Sequence, residues 1–231
     1  NIESGFDVWL IKIDGEGNEE WNKTFGGNGN DFGFSVQQTN DSGYVIIGTT
    51  ESFGNGSRDI YLIKTDGNGT EQWTKTFGGI DDESGYSIQI TNDGGYIICG
   101  GTKSFGNGGS DVYLIKTDGN GDSLWTRTFG GISWEEGNSV QQTTDEGYII
   151  VGHTDSYGNG DMDIYLIKTD ENGNEEWSKT FGGIDKDRGY SVQQTQDGGY
   201  IITGWKQSLE NEGFEEDYDI YLIKTDGNGN E

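Results

Sequence analysis

Residues 59–79 read Asp-Ile-Tyr-Leu-Ile-Lys-Thr-Asp-Gly-Asn-Gly-Thr-Glu-Gln-Trp-Thr-Lys-Thr-Phe-Gly-Gly. Two stretches rich in aromatic and β-branched residues flank Asp-Gly-Asn-Gly, a run suited to a tight turn because glycine takes positive φ without steric cost. The stretch predicts a β-hairpin that ends on a glycine pair. Near copies of its first eight residues begin at Asp7, Asp111, Asp163 and Asp219, at intervals of 52, 52, 52 and 56 residues. A fixed period of this length is the mark of a repeat architecture. The last interval is longer because the segment 207–218 replaces the shorter Ser-Phe-Gly-Asn-Gly type of linker.

Working outward from the hairpin, each unit reads as four short strands. In the unit around Cys99 these are strand a at Tyr86–Thr91, strand b at Tyr96–Gly100, strand c at Asp111–Thr117 and strand d at Leu124–Phe129. Asn92-Asp93-Gly94-Gly95 joins a to b, and Gly-Asn-Gly at 119–121 joins c to d. Helix is excluded: no window places apolar residues at i, i+3, i+4 and i+7, and glycines interrupt every candidate. Four strands per 52 residues suit a propeller blade better than a solenoid coil. Trp21, Trp73, Trp125 and Trp177 are each followed four residues later by Phe25, Phe77, Phe129 or Phe181. Period-2 alternation puts both rings on one face, directed at the neighbouring blade. The expected fold is therefore all-β, a single β-propeller domain over residues 1–231. Its repeats run 7–58, 59–110, 111–162 and 163–218, with a partial copy at 219–231.

Strand counting predicts four blades, or five within a larger or swapped assembly. Strands a, b and d occur four times and strand c five times. Closure requires the N-terminal strand d (Glu20–Phe25) to complete the sheet made by the last a, b and c strands. One c strand, Asp7–Ile13 or Asp219–Thr225, is then left over to pair with a neighbouring molecule.

The run Asp59-Ile-Tyr-Leu-Ile-Lys-Thr-Asp…Trp73…Phe77-Gly78-Gly79…Glu83…Gly94-Gly95-Tyr96…Gly100-Gly101-Thr102…Ser104 resembles the SBBP-type β-propeller repeat, and the resemblance spans nearly the whole chain. The c–d hairpin is also similar to the strand pair of PQQ-type repeats, although nothing matches their cofactor-contacting residues. The SBBP resemblance implies a secreted or cell-surface protein and names no activity.

Composition narrows the function. With 14 basic and 41 acidic residues the net charge is −27, which repels nucleic acid and anionic membranes and favours divalent cations or basic partners. No apolar run approaches a membrane span. No signal peptide is visible, so an export signal is expected outside these residues. The single cysteine, Cys99, rules out an internal disulfide; its counterparts Ile47, Val151 and Thr203 mark it as a core residue.

In an a-b-c-d blade, the d–a and b–c loops share one face and the a–b and c–d turns the other. The turn face hardly varies: Asp41-Ser-Gly, Asp93-Gly-Gly, Asp145-Glu-Gly, Asp197-Gly-Gly. The loop face does. Trp134 stands where the sister repeats have Asn30, Asp82 or Lys186. His153 and Trp205 replace Thr49 or Gly101, and Lys206 replaces a threonine. Trp134, His153, Trp205 and Lys206 are the expected ligand-binding residues, for a protein or a glycan, because loops on a rigid scaffold commonly carry function. Asp31, Glu83, Glu135 and Asp187 recur after the glycine pair as candidate calcium ligands; the competing explanation is loop capping. Catalysis is not expected. A glycosidase built on a carboxylate pair such as Asp81 and Asp82 is the enzymatic alternative, behind a calcium-dependent carbohydrate-binding propeller.

Overall fold

A computed structural model of the chain describes residues 5–208 and 217–231. Most of the long insertion between the last two strands, 209–216, lies outside the described residues. Seventeen strands and no helix make up the described chain, in agreement with the all-β reading.

Three complete sheets follow the expected unit. The first runs β3 (Asp31–Gln38), β4 (Tyr44–Thr50), β5 (Asp59–Thr65) and β6 (Glu71–Phe77). The second runs β7 (Glu83–Ile90), β8 (Tyr96–Thr102), β9 (Asp111–Thr117) and β10 (Ser123–Phe129). The third runs β11 (Glu135–Gln142), β12 (Tyr148–Thr154), β13 (Asp163–Thr169) and β14 (Glu175–Phe181). Every pairing is antiparallel and joins consecutive strands. Strand a starts three residues earlier than expected, at the acid itself, with a bulge at Gly85/Ser87 and its repeats.

The ends depart from the expected closure. The strand expected to complete the last sheet, β2 (Glu19–Phe25), instead pairs along its length with β1 (Val8–Ile13), Val8 opposite Phe25 and Lys12 opposite Trp21. Among the described residues, the last sheet holds β15 (Asp187–Gln194), β16 (Tyr200–Ser208) and β17 (Asp217–Thr225). No single c strand is left over; two sheets are incomplete. The physical reason is local. A c–d hairpin forms through its own short turn, with Asp14 N donating to the Asn18 carbonyl at 2.9 Å and Asp14 Oδ1 accepting from Asn18 N at 2.9 Å. Pairing β2 with β17 would have to break it.

Burial explains why the sheets stack. Strands b and c read as continuous apolar runs that are buried on both faces, as central strands covered on both sides must be. Ile97, Cys99, Val112 and Leu114 of the second sheet form one cluster with Val140, Tyr148, Ile150, Tyr165 and Ile167 of the third. Each such side chain contributes roughly 1.5–3 kcal/mol. Each strand-d tryptophan meets a tyrosine of the next blade: Trp73 and Tyr96 lie 6.3 Å apart, Trp125 and Tyr148 5.9 Å. A c–d turn glycine covers the indole; a Cβ on Gly121, at φ +78°, would sit 2.6 Å from the Trp73 ring. Along strand a, glutamines join neighbouring blades, Gln37 Oε1 accepting from Ile90 N at 2.9 Å and Gln141 Oε1 from Gln194 N at 2.6 Å.

Candidate functional site

The two faces are built differently. On the turn face, the lysine of strand c runs buried under its own sheet to meet the a–b turn. Lys116 Nζ contacts Asp93 at 2.9 Å and the Thr117 carbonyl at 2.9 Å, and Lys64 and Lys168 repeat the arrangement with Asp41 and Asp145. Burial raises the Asp93 carboxyl, but Lys116, Thr91 and the Gly95 amide outweigh it and bring it down to about 2. These side chains are occupied with one another, and beside the Asp93–Lys116 pair a shallow cleft of about 420 Å³ opens toward Trp125, Gln142 and Tyr148.

On the loop face, the recurrent acids are buried caps. Glu83 Oε2 accepts from Gly79 N at 2.6 Å, and its Oε1 from Thr102 Oγ1 at 2.7 Å and Ser104 N at 3.0 Å. Glu135 repeats this with Gly131, Thr154 and Ser156. Asp187 accepts from Gly183 N at 2.8 Å. Asp31, one methylene shorter than Glu83, accepts from Gly27 N and Ser52 Oγ through one oxygen, and its Oδ1 finds no donor. The acids that precede strand c cap the other loop, Asp59 accepting from Asn55 N at 3.0 Å and Asp163 from Asn159 N at 3.0 Å. Among the described residues, no group of three or more His, Cys, Asp or Glu is placed to hold a metal ion. Asp31, Glu83, Glu135 and Asp187 thus sit one per blade, their oxygens largely committed to backbone amides and hydroxyls.

Each b–c loop bridges to the d–a loop of the next blade through Arg58 and Asp82, Ser110 and Trp134, and Met162 and Lys186. This frame holds Trp134, whose carbonyl accepts from Asp155 N at 2.9 Å. Trp134 stays 40% exposed.

The other three candidates lie elsewhere. His153 is 3% exposed, and burial, with Arg188 nearby, brings its imidazole down to about 3. It is neutral at ordinary pH and cannot touch a ligand from outside, so it is a packing residue of the interface between the third and last sheets. In β16, Trp205 donates to Tyr190 Oη at 3.2 Å and stacks edge-on against Tyr218 at 4.8 Å. Alternation along β16 puts its neighbour Lys206 on the opposite face, where the amine lies 5.8 Å from the Tyr221 ring centre. The four residues do not form one site.

What does surround Trp134 is a cleft of about 120 Å³, lined by Arg58, Asp82, Ser84, Tyr86, Gly101, Lys103, Ser110, Trp134 and Glu136. Gly101 forms part of its wall. The strand-b position that Thr49, His153 and Trp205 fill elsewhere carries no side chain here, and a Cβ on Gly101 would lie 3.2 Å from both Glu136 Cγ and Ser110 Oγ. The charges inside are paired: Lys103 with Asp82 at 2.9 Å, Glu136 with Arg188 at 3.0 Å, Arg58 with Glu51 at 2.9 Å. The Lys103 amine also lies 4.9 Å from the Trp134 ring centre, and Trp134 Nε1 donates to Glu136 Oε1 at 3.3 Å. Sequence reading found Trp134 but missed Gly101, Lys103, Ser84 and Glu136. The signal was present in Gly101, the one small residue at a position otherwise filled. Its meaning depended on which blade faces it.

No protein-family model matches the chain. A regulatory protein, FlaEY, of Caulobacter vibrioides is 24% identical over 203 residues, covering 75% of this chain. The chain spans 21% of that relative's length. Among solved structures, a bifunctional GH43-CE protein of Bacteroides eggerthii aligns with 94% of this chain and 27% of its own, at 14% identity and a TM-score of 0.48.

Proposed function

We propose that the chain is a non-enzymatic recognition module built of propeller blades, whose loop face binds a partner at the Trp134 cleft. The observation that carries this reading is the contrast between the faces. Lys64, Lys116 and Lys168 keep the same Lys–Asp lock on the turn side, whereas the loop side differs from repeat to repeat and carries, among the described residues, the cleft beside Gly101 and Trp134. The cleft's carboxylates, Asp82 and Glu136, are held in ion pairs, an arrangement suited to binding rather than to proton transfer. Placement at the cell surface or in the medium rests on the resemblance to SBBP-type repeats. The blade arrangement of a propeller is proposed because the exposed faces of the first and last sheets match faces buried between internal blades.

The test is to present the purified protein to arrayed glycans and to a peptide display library, with and without chelator, beside the Trp134→Ala variant. Binding lost in the variant, with an unchanged melting temperature, is the expected result. Turnover of glycoside or ester substrates abolished by Asp82→Asn would overturn the non-enzymatic reading, and binding that needs calcium would move recognition to the acidic caps.

A further inference from the structure

Resting on the loop-face reading above, we infer that the cleft takes one pyranose ring of a neutral saccharide. Three observations converge on this class of ligand.

The first is size. At about 120 Å³ the cleft is smaller than a pocket for a drug-sized ligand, roughly 300–1,000 Å³. It admits one small ring and leaves the rest of a chain in solvent. The second is the wall. Trp134 supplies an indole where the sister repeats carry Asn30, Asp82 and Lys186. Amphipathic aromatic rings serve surfaces where one side is apolar and the other wet, and the C–H face of a pyranose matches such a ring.

The third is charge. All four charged residues that line the cleft already have an opposite partner: Arg58, Asp82, Lys103 and Glu136. A charged ligand would have to displace one of those partners and leave it unpaired. A hydroxyl does not. It accepts from the cation and donates to the anion of a standing pair, so vicinal hydroxyls meet both members of Lys103–Asp82 without separating them. The hydroxyls of Ser84, Tyr86 and Ser110 add neutral groups around the same space. The oxygens of Glu83 and Glu135 already accept hydrogen bonds, and the inferred binding is independent of calcium.

The test uses methyl α- and β-pyranosides of glucose, galactose, mannose and N-acetylglucosamine, with their oligosaccharides, followed by saturation-transfer NMR and calorimetry. At least one neutral glycoside is expected to bind, equally well with EDTA or calcium. Trp134→Ala should weaken it tenfold or more. Gly101→Thr, which refills the cleft as Thr49 does in the first blade, should abolish it, and melting curves establish that each variant folds. If Gly101→Thr does not fold, Trp134→Ala decides alone. The inference is overturned if no neutral glycoside binds, if both folded variants bind like the parent, if calcium is required, or if uronic acids bind more tightly. Should peptides bind in a Trp134-dependent way while no saccharide does, the saccharide assignment falls and the recognition module stands.

Discussion

At the residue scale, repeated aromatics differ in their work according to what lies beyond them. Trp125 packs on Tyr148 and under the Gly173 turn, so Trp125→Ala is expected to cost about 3 kcal/mol, as large-to-small core changes do. Trp134, framed by backbone and open on one side, should cost less than about 1 kcal/mol; chemical denaturation of both variants checks the contrast. His153 gives a pH signature. Its imidazole is held near 3 when folded, against about 6.5 in an unfolded chain. Between those values the unfolded state binds more protons, so the stability that a neutral His153 maintains is present above pH 6.5 and lost as pH falls toward 3. His153→Thr, with the residue of the first blade, should flatten the fall between pH 6.5 and 4. Equal slopes in parent and variant would show that carboxylates alone set the acid limit.

At the element scale, the a–b hairpins expose a cost that the repeats themselves reveal. The third residue after the strand-a threonine takes a left-handed conformation in every turn, at φ +82° for Gly94 and +83° for Gly198. In the other two turns Ser42 and Glu146 hold φ +69°, where an L side chain pays about 1 kcal/mol or more. Each turn is otherwise the same, the threonine amide donating to the glycine carbonyl at 2.8–3.0 Å. Ser42→Gly and Glu146→Gly should therefore each raise stability by about 1 kcal/mol, additively because the turns lie in different blades. A lower melting temperature in either variant would mean that these side chains make compensating contacts.

At the scale of the whole molecule, the two end faces are counterparts. Ile220 and Leu222 of β17 are 87% and 65% exposed. They occupy the places of Ile60 and Leu62 in β5, which are buried against the next blade. At the other end Trp9 and Ile11 are 63% and 41% exposed, in the places of Tyr61 and Ile63, which are buried against the preceding hairpin. Apolar faces of this kind seldom stay bare in water. The 231-residue polypeptide is expected to self-associate head to tail, a heterologous contact. Trp9→Asp and Leu222→Asp should each be monomeric by light scattering, and an equimolar mixture should give one-to-one dimers. A monomeric parent at high concentration would sink this prediction.

The repeat, the strand type and the blade unit were legible in the sequence because they depend on local chemistry. Alternation, turn glycines and a 52-residue period make each hairpin nearly independent of its surroundings, and strand c was placed to the residue at Asp111–Thr117. The Trp–Phe face was legible for the same reason. Pairing at the ends was not, since β2 has two nearly identical partners in β1 and β17, and only the short turn of its own hairpin decides between them. The site was legible in part. Trp134 announced itself by differing from its repeats, and His153 did so equally, yet one is open and the other buried. That difference arises across the blade interfaces, where Gly101 leaves a space facing Glu136 while His153 fills the corresponding space beside Arg188. Alignment of repeats compares positions within a blade; which side chain faces which across the interface is decided only when the blades pack.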